Sequence, residues 1–164
     1  MKALLEQGLE ALGITPPEGA VDQLVRYGEL LLEQNKVMNL TAITQPDQVA
    51  ALHFLDSAAL LGCASLEGAS LVDVGTGAGF PGMVLKILVP GLHLTLVDSL
   101  AKRLDWLSTV CAELGLERVT LRHARAEELA WEDGWRDAFD FATARAVADL
   151  RVLTELCLPY VRQY

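Results

Sequence analysis

The stretch LVDVGTGAGFPG, at residues 71–82, combines an apolar run, an acid and glycines at alternate positions. Gly75, Gly77 and Gly79 let a backbone turn sharply and approach a ligand closely, because a Cβ at any of them would occupy the ligand's space. The spacing is Gly-x-Gly-x-Gly, whereas the dinucleotide fingerprint places its third glycine three positions after its second. Pro81 also removes a backbone amide that a pyrophosphate would use. The stretch therefore predicts a binding loop for a ligand without a pyrophosphate.

Two acids accompany this loop. Asp73 precedes Gly75 by two residues, and its charge disfavours a phosphate and favours an ammonium or sulfonium group. Asp98 lies 23 residues after Gly75, at the end of a second apolar run, where a carboxylate can accept hydrogen bonds from both ribose hydroxyls. S-adenosylmethionine has a sulfonium, an amino group and a nucleoside but no phosphate. The alternatives are a solvated strand end for Asp73 and a helix N-cap for Asp98 or Ser99, but the joint spacing favours the cofactor.

Strands and helices that alternate from residue 69 onward must position these residues. Short apolar runs are separated by helical patterns, which indicates parallel strands joined by crossover helices. The predicted strands are 71–74, 92–97, 119–122 and 139–143, and the predicted helices are 82–89, 100–114, 126–131 and 146–161. In such a sheet the glycine loop and Asp98 lie at the same edge, where ligands bind.

The residues before this alternation are predicted to be mainly helical. Apolar residues recur at helical spacing up to about residue 36, and a third helix is predicted over residues 49–61. We therefore expect a doubly wound, Rossmann-like α/β fold with a helical N-terminal cap. Residues 1–62 would form a helical cap, and residues 63–164 would form the cofactor-binding α/β domain.

The predicted sheet has fewer strands than is usual for such a fold. Tyr164 falls where the fourth crossover helix would end, and open α/β sheets of this kind usually have further strands beyond that point. We expect the sheet to be incomplete at its C-terminal side. Either the chain is a fragment, or its fourth strand is an edge that another segment covers.

The composition bounds the kind of protein. With 164 residues, 52% of them hydrophobic and 21% charged, the chain can bury one sizeable core. A net charge of −9 argues against a general coating of nucleic acid but is compatible with a local basic patch. Cys63, Cys111 and Cys157 lack disulfide or zinc spacing, and no signal peptide or membrane span is recognisable. We expect a cytoplasmic monomer without a metal or membrane partner.

Six short segments occur in the same order as in one known family: MNLTAI at 38–43, HFLDS at 53–57, VDVGTGAGFPG at 72–82, LVDSLAKR at 96–103, RAEEL at 125–129 and ATARAVADL at 142–150. On these segments the chain resembles the glucose-inhibited division protein B family, bacterial methyltransferases that modify a guanine at N7 in 16S ribosomal RNA. GAGFPG together with HFLDS is far more specific than a generic glycine motif. The resemblance implies a Rossmann-like fold of the class I S-adenosylmethionine-dependent methyltransferases. It also implies S-adenosylmethionine as the cofactor and the small ribosomal subunit as the partner.

The resemblance also implies a set of cofactor contacts, which with Asp73 are Gly75, Gly77, Gly79, Phe80, Asp98, Ala126, Glu127 and Arg145. Glu127 follows the third predicted strand, where a carboxylate can accept a hydrogen bond from an adenine amino group. The alternative for Glu127 is an exposed acid in the first turn of a helix. Arg145 follows the fourth strand at the edge where ligands bind, which favours a site role over a surface role.

Methylation of guanine N7 needs no general base, because this nitrogen has an in-plane lone pair and no proton. We therefore predict no catalytic acid or base and expect the rate to depend on proximity and alignment. The target base must be unstacked to reach the methyl group. The candidate groups on the RNA side are Asn39, Thr41, His53, Lys102, Arg103 and Arg145.

Several alternatives stay open. His53 could be a capping or packing histidine, and Lys102 and Arg103 could be solvated helix charges. A small-molecule methyltransferase on the same fold would be supported by a neutral, enclosed pocket. A non-enzymatic module that binds the cofactor or a partner would be supported by an apolar fourth-strand edge that another chain covers.

Overall fold

The computed structural model describes residues 1–145 and 149–163. The helices are α1 (Lys2–Ala11), α2 (Ala20–Gln34), α3 (Pro46–Val49), α4 (Asp56–Ala58), α5 (Gly82–Leu88), α6 (Ala101–Leu114), α7 (Ala126–Leu129) and α8 (Leu150–Cys157). A π-helical segment, Ala50–Leu55, joins α3 to α4, and 3₁₀ turns cover Ala59–Gly62 and Leu158–Tyr160. The strands are β1 (Ser70–Val74), β2 (His93–Asp98), β3 (Val119–His123) and β4 (Phe141–Ala144).

The four strands form one parallel sheet in the order β3-β2-β1-β4. β1 is buried almost throughout, as expected of a short apolar run that is covered on both faces. The chain moves outward from β1 through β2 to β3 and then returns to the other side of β1 for β4. The crevice outside the carboxyl ends of β1 and β4 is therefore the switch point at which open α/β sheets bind ligands. The predicted α/β fold is confirmed.

The helices before the sheet share a hydrophobic core with α5 and α6. Leu9 of α1, Leu24 of α2 and Phe54 of the π-helical segment lie in one buried cluster with Met83 and Leu107. The apolar stripes of α1 and α2 therefore pack toward the sheet rather than toward solvent. The division into a cap and a separate domain at residue 62 stays a prediction.

The last helix, α8, begins at Leu150. Asp149 is the N-cap of α8, and its Oδ1 accepts a hydrogen bond from the backbone amide of Val152 at 3.0 Å. An aspartate commonly begins a helix in this way. Residues 146–148, where the predicted helix begins, lie outside the described residues, as does Tyr164.

Two features are absent from residues 1–145 and 149–163. No helix in these ranges is long and apolar enough to cross a membrane. The same ranges contain no group of three or more His, Cys, Asp or Glu side chains that could hold a metal ion.

Candidate functional site

The glycine loop connects β1 to α5 and depends on its glycines in different ways. Gly75, Gly77 and Gly79 all have positive φ angles, of 64°, 58° and 102°. A Cβ on Gly79 would lie 2.5 Å from the hydroxyl oxygen of Tyr27 and 2.7 Å from Cγ of Met83. A Cβ on Gly77 would meet nothing closer than the backbone oxygen of Gly75 at 4.0 Å. Gly79 is therefore required by packing, whereas Gly77 leaves open space on the ligand side.

Asp73 lies beneath the loop instead of facing the ligand. Its side chain is fully buried, and its Oδ2 accepts hydrogen bonds from Oγ1 of Thr76 at 2.6 Å and from the amide of Gly82 at 3.1 Å. Its Oδ1 accepts a hydrogen bond from Oγ1 of Thr143 at 3.0 Å. Burial raises the pKa of this carboxyl to about 7, against the opposing effect of these donors. In the structure this side chain is enclosed and ties the loop to β4, and the direct cofactor contact of Asp73 stays a prediction.

This arrangement gives Thr143 a testable part in cofactor binding. Thr143→Val removes only the bond that joins β4 to Asp73. We expect a loss of about 1 kcal/mol of unfolding free energy and a roughly threefold to tenfold weaker affinity for S-adenosylmethionine. Urea unfolding and calorimetric titration measure both quantities. Thr143→Ser keeps the hydroxyl and should behave like the wild type, and equal affinities for the valine and serine variants would contradict the role of this bond.

Asp98 ends β2 and organises the middle of the site. Its side chain is 3% exposed. Its Oδ2 accepts a hydrogen bond from the amide of Gly77 at 2.8 Å, and its Oδ1 accepts one from the amide of Leu100 at 2.9 Å. Nη1 of Arg103 lies 3.6 Å from Oδ2. Each carboxylate oxygen keeps a further lone pair for a ligand hydroxyl. The helix N-cap alternative weighed from the sequence for Asp98 or Ser99 is wrong, because the N-cap of α6 is Leu100. Asp98 instead holds the turn before α6, which is compatible with a cofactor role.

Two hollows meet at Asp98, along the carboxyl edge of the sheet. The first has a volume of about 300 Å³ and is lined by Val74, Gly75, Val97, Asp98, Ser99, Ala124, Arg125, Ala126, Glu127 and Leu156. The second has a volume of about 380 Å³ and is lined by Leu40, Gly75, Thr76, Gly77, Ala78, Phe80, Asp98, Ser99, Arg103 and Arg145. Gly75, Asp98 and Ser99 belong to both. An elongated ligand could therefore extend from one hollow into the other past Asp98.

The first hollow contains the residues expected near an adenine. Ala126 and Glu127 begin α7 directly after β3, and the hydroxyl of Tyr160 donates a hydrogen bond to the backbone oxygen of Ala126. The side chain of Glu127 is exposed, and Nη1 of Arg125 lies 3.9 Å from its Oε1. Its carboxylate is therefore available to a ligand, and the adenine contact stays a prediction.

The second hollow is bounded by Arg145, which connects β4 to the helices before the sheet. Its Nη2 donates a hydrogen bond to Nδ1 of His53 at 2.5 Å, and its Nη1 lies 3.7 Å from Oδ2 of Asp56. The guanidinium carbon lies 5.3 Å from the ring centroid of Phe80. The His53 ring stacks on the same phenyl ring, with the centroids 4.5 Å apart and the planes at 10°. Arg145, His53 and Phe80 therefore form one packed group at the switch point.

His53 is held in its neutral form. Its side chain is 8% exposed, and burial, followed by the charge of Arg145, lowers the pKa of the imidazole to about 4. Its Nε2 lies 2.8 Å from Oγ1 of Thr41. Between capping and packing, packing describes this arrangement, because His53 lies inside the π-helical segment and not at a helix end. The role of His53 on the RNA side stays a prediction.

This low pKa predicts a pH dependence of stability. The imidazole titrates at 6.5 when unperturbed and at about 4 in the folded chain, so the unfolded chain binds more protons between these values. Because of His53, the free energy of unfolding is therefore up to about 3 kcal/mol larger above pH 6.5 than at low pH. This difference is lost as the pH falls toward 4. We expect the stability difference between the wild type and His53→Asn to shrink over this range in urea unfolding. Asp73, whose raised pKa acts with the opposite sign, cancels in this comparison.

A nuclear magnetic resonance titration of the His53 ring gives an independent check. The ring signals should shift with a midpoint near pH 4, and they are assigned by their absence in His53→Asn. A midpoint near the unperturbed value would contradict the enclosed, neutral imidazole.

The other residues predicted to face RNA are separated by the fold. Arg103 lines the second hollow. Lys102 instead lines a neighbouring groove between α2 and α6, together with Met38 and Trp106. Asn39 is exposed and lies next to Leu40, a residue of the second hollow.

Asn35 is a part of the site that the sequence did not predict. Its Oδ1 accepts hydrogen bonds from the amides of Leu40 and Thr41 at 2.8 and 2.9 Å, and its Nδ2 donates one to the backbone oxygen of Thr41 at 2.9 Å. Asparagine favours such local bonds at the end of a helix. This propensity, with the position of Asn35 directly after α2, is the sequence signal that could have predicted its role.

The comparisons with known proteins agree with this geometry. A family model described as rRNA small subunit methyltransferase G matches residues 20–164. Ribosomal RNA small subunit methyltransferase G of Alkaliphilus metalliredigens (strain QYMF) is 49% identical over 162 residues, which cover 98% of this chain and 68% of that protein. The protein of the same name from Lactococcus lactis subsp. cremoris (strain MG1363) is 48% identical over 145 residues, 87% of this chain and 61% of that protein.

The chain belongs to the rRNA small subunit methyltransferase G family. The resemblance stated from the sequence is thereby confirmed. Membership in the rRNA small subunit methyltransferase G family also confirms S-adenosylmethionine as the cofactor. The chain spans 68% and 61% of the lengths of the two relatives.

A solved structure supports the fold independently. The crystal structure of an S-adenosylmethionine-dependent methyltransferase from Aquifex aeolicus superimposes with a TM-score of 0.54 at 20% identity, covering 80% of this chain and 67% of that one. At this identity the likeness shows the fold alone.

Proposed function

We propose that this chain binds S-adenosylmethionine across the two hollows and transfers its methyl group to N7 of a guanine in 16S ribosomal RNA of the small subunit. The observation that carries the proposal is the position of Asp98 at the junction of the hollows, with the glycine loop on one side and Glu127 on the other. The names of the relatives supply the RNA substrate. A cytoplasmic, monomeric enzyme is part of the proposal.

The cofactor would lie with its adenosine in the first hollow and its methionine part in the second. Asp98 would accept hydrogen bonds from the ribose hydroxyls, and Glu127 would accept one from the adenine amino group. Gly77 would allow close approach of the loop backbone. Arg145 would provide a positive charge for the methionine carboxylate. The bound cofactor supplies a methyl group activated by its attachment to a positive sulfur.

The residues around the second hollow suit a transfer that needs no proton acceptor. His53 is neutral and engaged by Arg145 and Thr41, and Asp73 is enclosed beneath the loop. Guanine N7 attacks with its own lone pair, so alignment with the methyl group is the main requirement. In intramolecular reactions, such alignment lowers the activation free energy by about 7 to 11 kcal/mol.

The charge of the site favours RNA over a small neutral acceptor. Arg103 and Arg145 line the second hollow, and Lys102 follows on the next groove. These cations give an acidic chain a local basic surface for a phosphate backbone. Neither arginine fits the neutral, enclosed pocket that a small-molecule methyltransferase would favour. Asn39, Thr41 and His53 are proposed to lie on the RNA side of this surface.

Transfer of a labelled methyl group tests the function. The chain is incubated with labelled S-adenosylmethionine and either unmodified small ribosomal subunits or their deproteinised RNA, and the product nucleosides are identified. We expect label in 7-methylguanosine, and comparison of the two substrates shows which form of the RNA is recognised. Label in another nucleoside, or no label in either RNA while S-adenosylmethionine binds, would contradict the proposed reaction.

A further inference from the structure

A chain of hydrogen bonds fixes the proton positions between Arg145 and Thr41. A guanidinium can only donate, so Nδ1 of His53 must accept from Nη2 of Arg145, which lies 2.5 Å away. The neutral ring then carries its proton on Nε2. This nitrogen lies 2.8 Å from Oγ1 of Thr41, and it must donate to that oxygen. The tautomer of His53 is thus set by Arg145.

The hydroxyl of Thr41 is left with one available group, its own proton. Its oxygen accepts from Nε2 of His53 and also from the backbone amide of Ile43, at 3.1 Å. These two bonds use both lone pairs. Within residues 1–145 and 149–163, no acceptor for the Thr41 proton is present. Thr41 can therefore act only as a donor toward a bound molecule.

The position of this donor is fixed and lies beside the second hollow. Asn35 holds the backbone of Leu40 and Thr41 with three hydrogen bonds. Leu40 lines the second hollow together with Phe80 and Arg145. Thr41, the next residue, is partly exposed. A base that approaches the methyl group from the side of the second hollow that Leu40 lines would thus come next to a hydroxyl that can only donate.

We propose that Thr41 selects guanine by donating a hydrogen bond to O6 of the target base. This inference rests on the proposed function. Guanine presents two acceptors side by side, N7 and O6, whereas adenine presents N7 beside an N6 amino donor. A hydroxyl that can only donate can form a hydrogen bond with O6 of guanine. Opposite adenine, the same hydroxyl would face the N6 amino group, which is also a donor. Thr41 is then a specificity-determining residue for methylation at N7.

Substitutions at Thr41 provide the first part of the test. Thr41→Val has nearly the same shape but no hydroxyl, and we expect kcat/KM for guanine methylation to fall by about 10- to 100-fold. The affinity for S-adenosylmethionine should change by no more than about threefold, because Thr41 lines neither hollow and reaches Arg145 only through His53. Thr41→Ser keeps the donor and should stay within about threefold of the wild type. Loss in the serine variant equal to that in the valine variant would overturn the proposal.

A cycle that changes both the residue and the base gives the decisive part. Small subunits are assembled with RNA in which the target guanine is replaced by 2-aminopurine, which keeps N7 and lacks O6, or by inosine, which keeps both. The wild type should lose about 10- to 100-fold on 2-aminopurine and little on inosine. On 2-aminopurine, Thr41→Val should be no slower than the wild type. A full additional loss in the valine variant on 2-aminopurine would assign Thr41 a structural role and overturn the proposal.

The two proposals fail in different ways. If the wild type forms no 7-methylguanosine on unmodified subunits, the proposed function fails, and the inference about Thr41 fails with it. If the wild type methylates guanine and 2-aminopurine equally, only the reading of O6 by Thr41 is wrong. This second result needs no variant, so it does not depend on the folding of Thr41→Val.

Discussion

Replacing Gly79 with alanine is expected to lower the free energy of unfolding by about 3 to 5 kcal/mol and to abolish cofactor binding. The φ angle of 102° lies where residues with a Cβ are strained. The new Cβ would also lie 2.5 Å from the hydroxyl oxygen of Tyr27 and 3.0 Å from Cδ2 of Leu107. The Tyr27 hydroxyl donates a buried hydrogen bond to the backbone oxygen of Ala78. Relief of the clash would therefore move the loop itself.

Two other glycines separate the causes of this loss. Gly115 has a φ angle of 66°, and a Cβ there would have nothing within 4 Å. Gly115→Ala should therefore lower the free energy of unfolding by only about 1 kcal/mol. Gly77→Ala, with its nearest atom at 4.0 Å, should stay folded but bind S-adenosylmethionine more weakly. Urea unfolding and calorimetric titration of the three variants measure these effects. Equal stability of Gly79→Ala and Gly115→Ala would refute the packing role of Gly79.

Replacing Asp98 with alanine is expected to weaken the affinity for S-adenosylmethionine by about 100-fold or more. The substitution removes the acceptor proposed for both ribose hydroxyls, and bonds to a carboxylate are among the stronger hydrogen bonds. It also releases the amides of Gly77 and Leu100, which shape the loop and the start of α6. A loss of about 1 to 3 kcal/mol of unfolding free energy should accompany the weaker binding.

A modified ligand distinguishes ribose contact from loop organisation. The wild type should bind S-adenosylhomocysteine much more tightly than its 2′,3′-dideoxy analogue, whereas Asp98→Ala should bind the two with nearly equal affinity. Asp105→Ala, which removes an exposed acid of α6, is the matched control and should bind like the wild type. If Asp98→Ala still discriminates between the two ligands, another group holds the ribose.

The features that local pattern determines were predicted from the sequence. The four strands, the glycine loop and the place of Asp98 at the end of β2 follow from apolar runs and from glycine spacing. Parallel strands bring their carboxyl ends to one edge, so the meeting of this loop with Asp98 and Arg145 was also predictable. The interior and the ends of several elements differ: the helix predicted over 49–61 contains the π-helical segment, and α7 ends at Leu129 and not at residue 131.

The direction of a side chain was not predictable where long-range packing decides it. The acid before the loop is visible in the sequence, but its enclosure depends on Thr143, which is 70 residues away. The pairing of His53 with Arg145 spans 92 residues and depends on how the π-helical segment packs on Phe80. The resemblance named both residues, but it could not show that they engage each other, nor that Thr41 is left as a donor.

A crystal structure with S-adenosylhomocysteine bound tests the central claim most directly. We predict one molecule extending across both hollows, with its adenine beside Ala126 and Glu127, its ribose hydroxyls on Asp98 and its amino acid part between the glycine loop and Arg145. The sulfur should then face the side of the second hollow that Leu40 lines. A ligand confined to one hollow, or bound with its adenine beside Arg145, would contradict the proposed site.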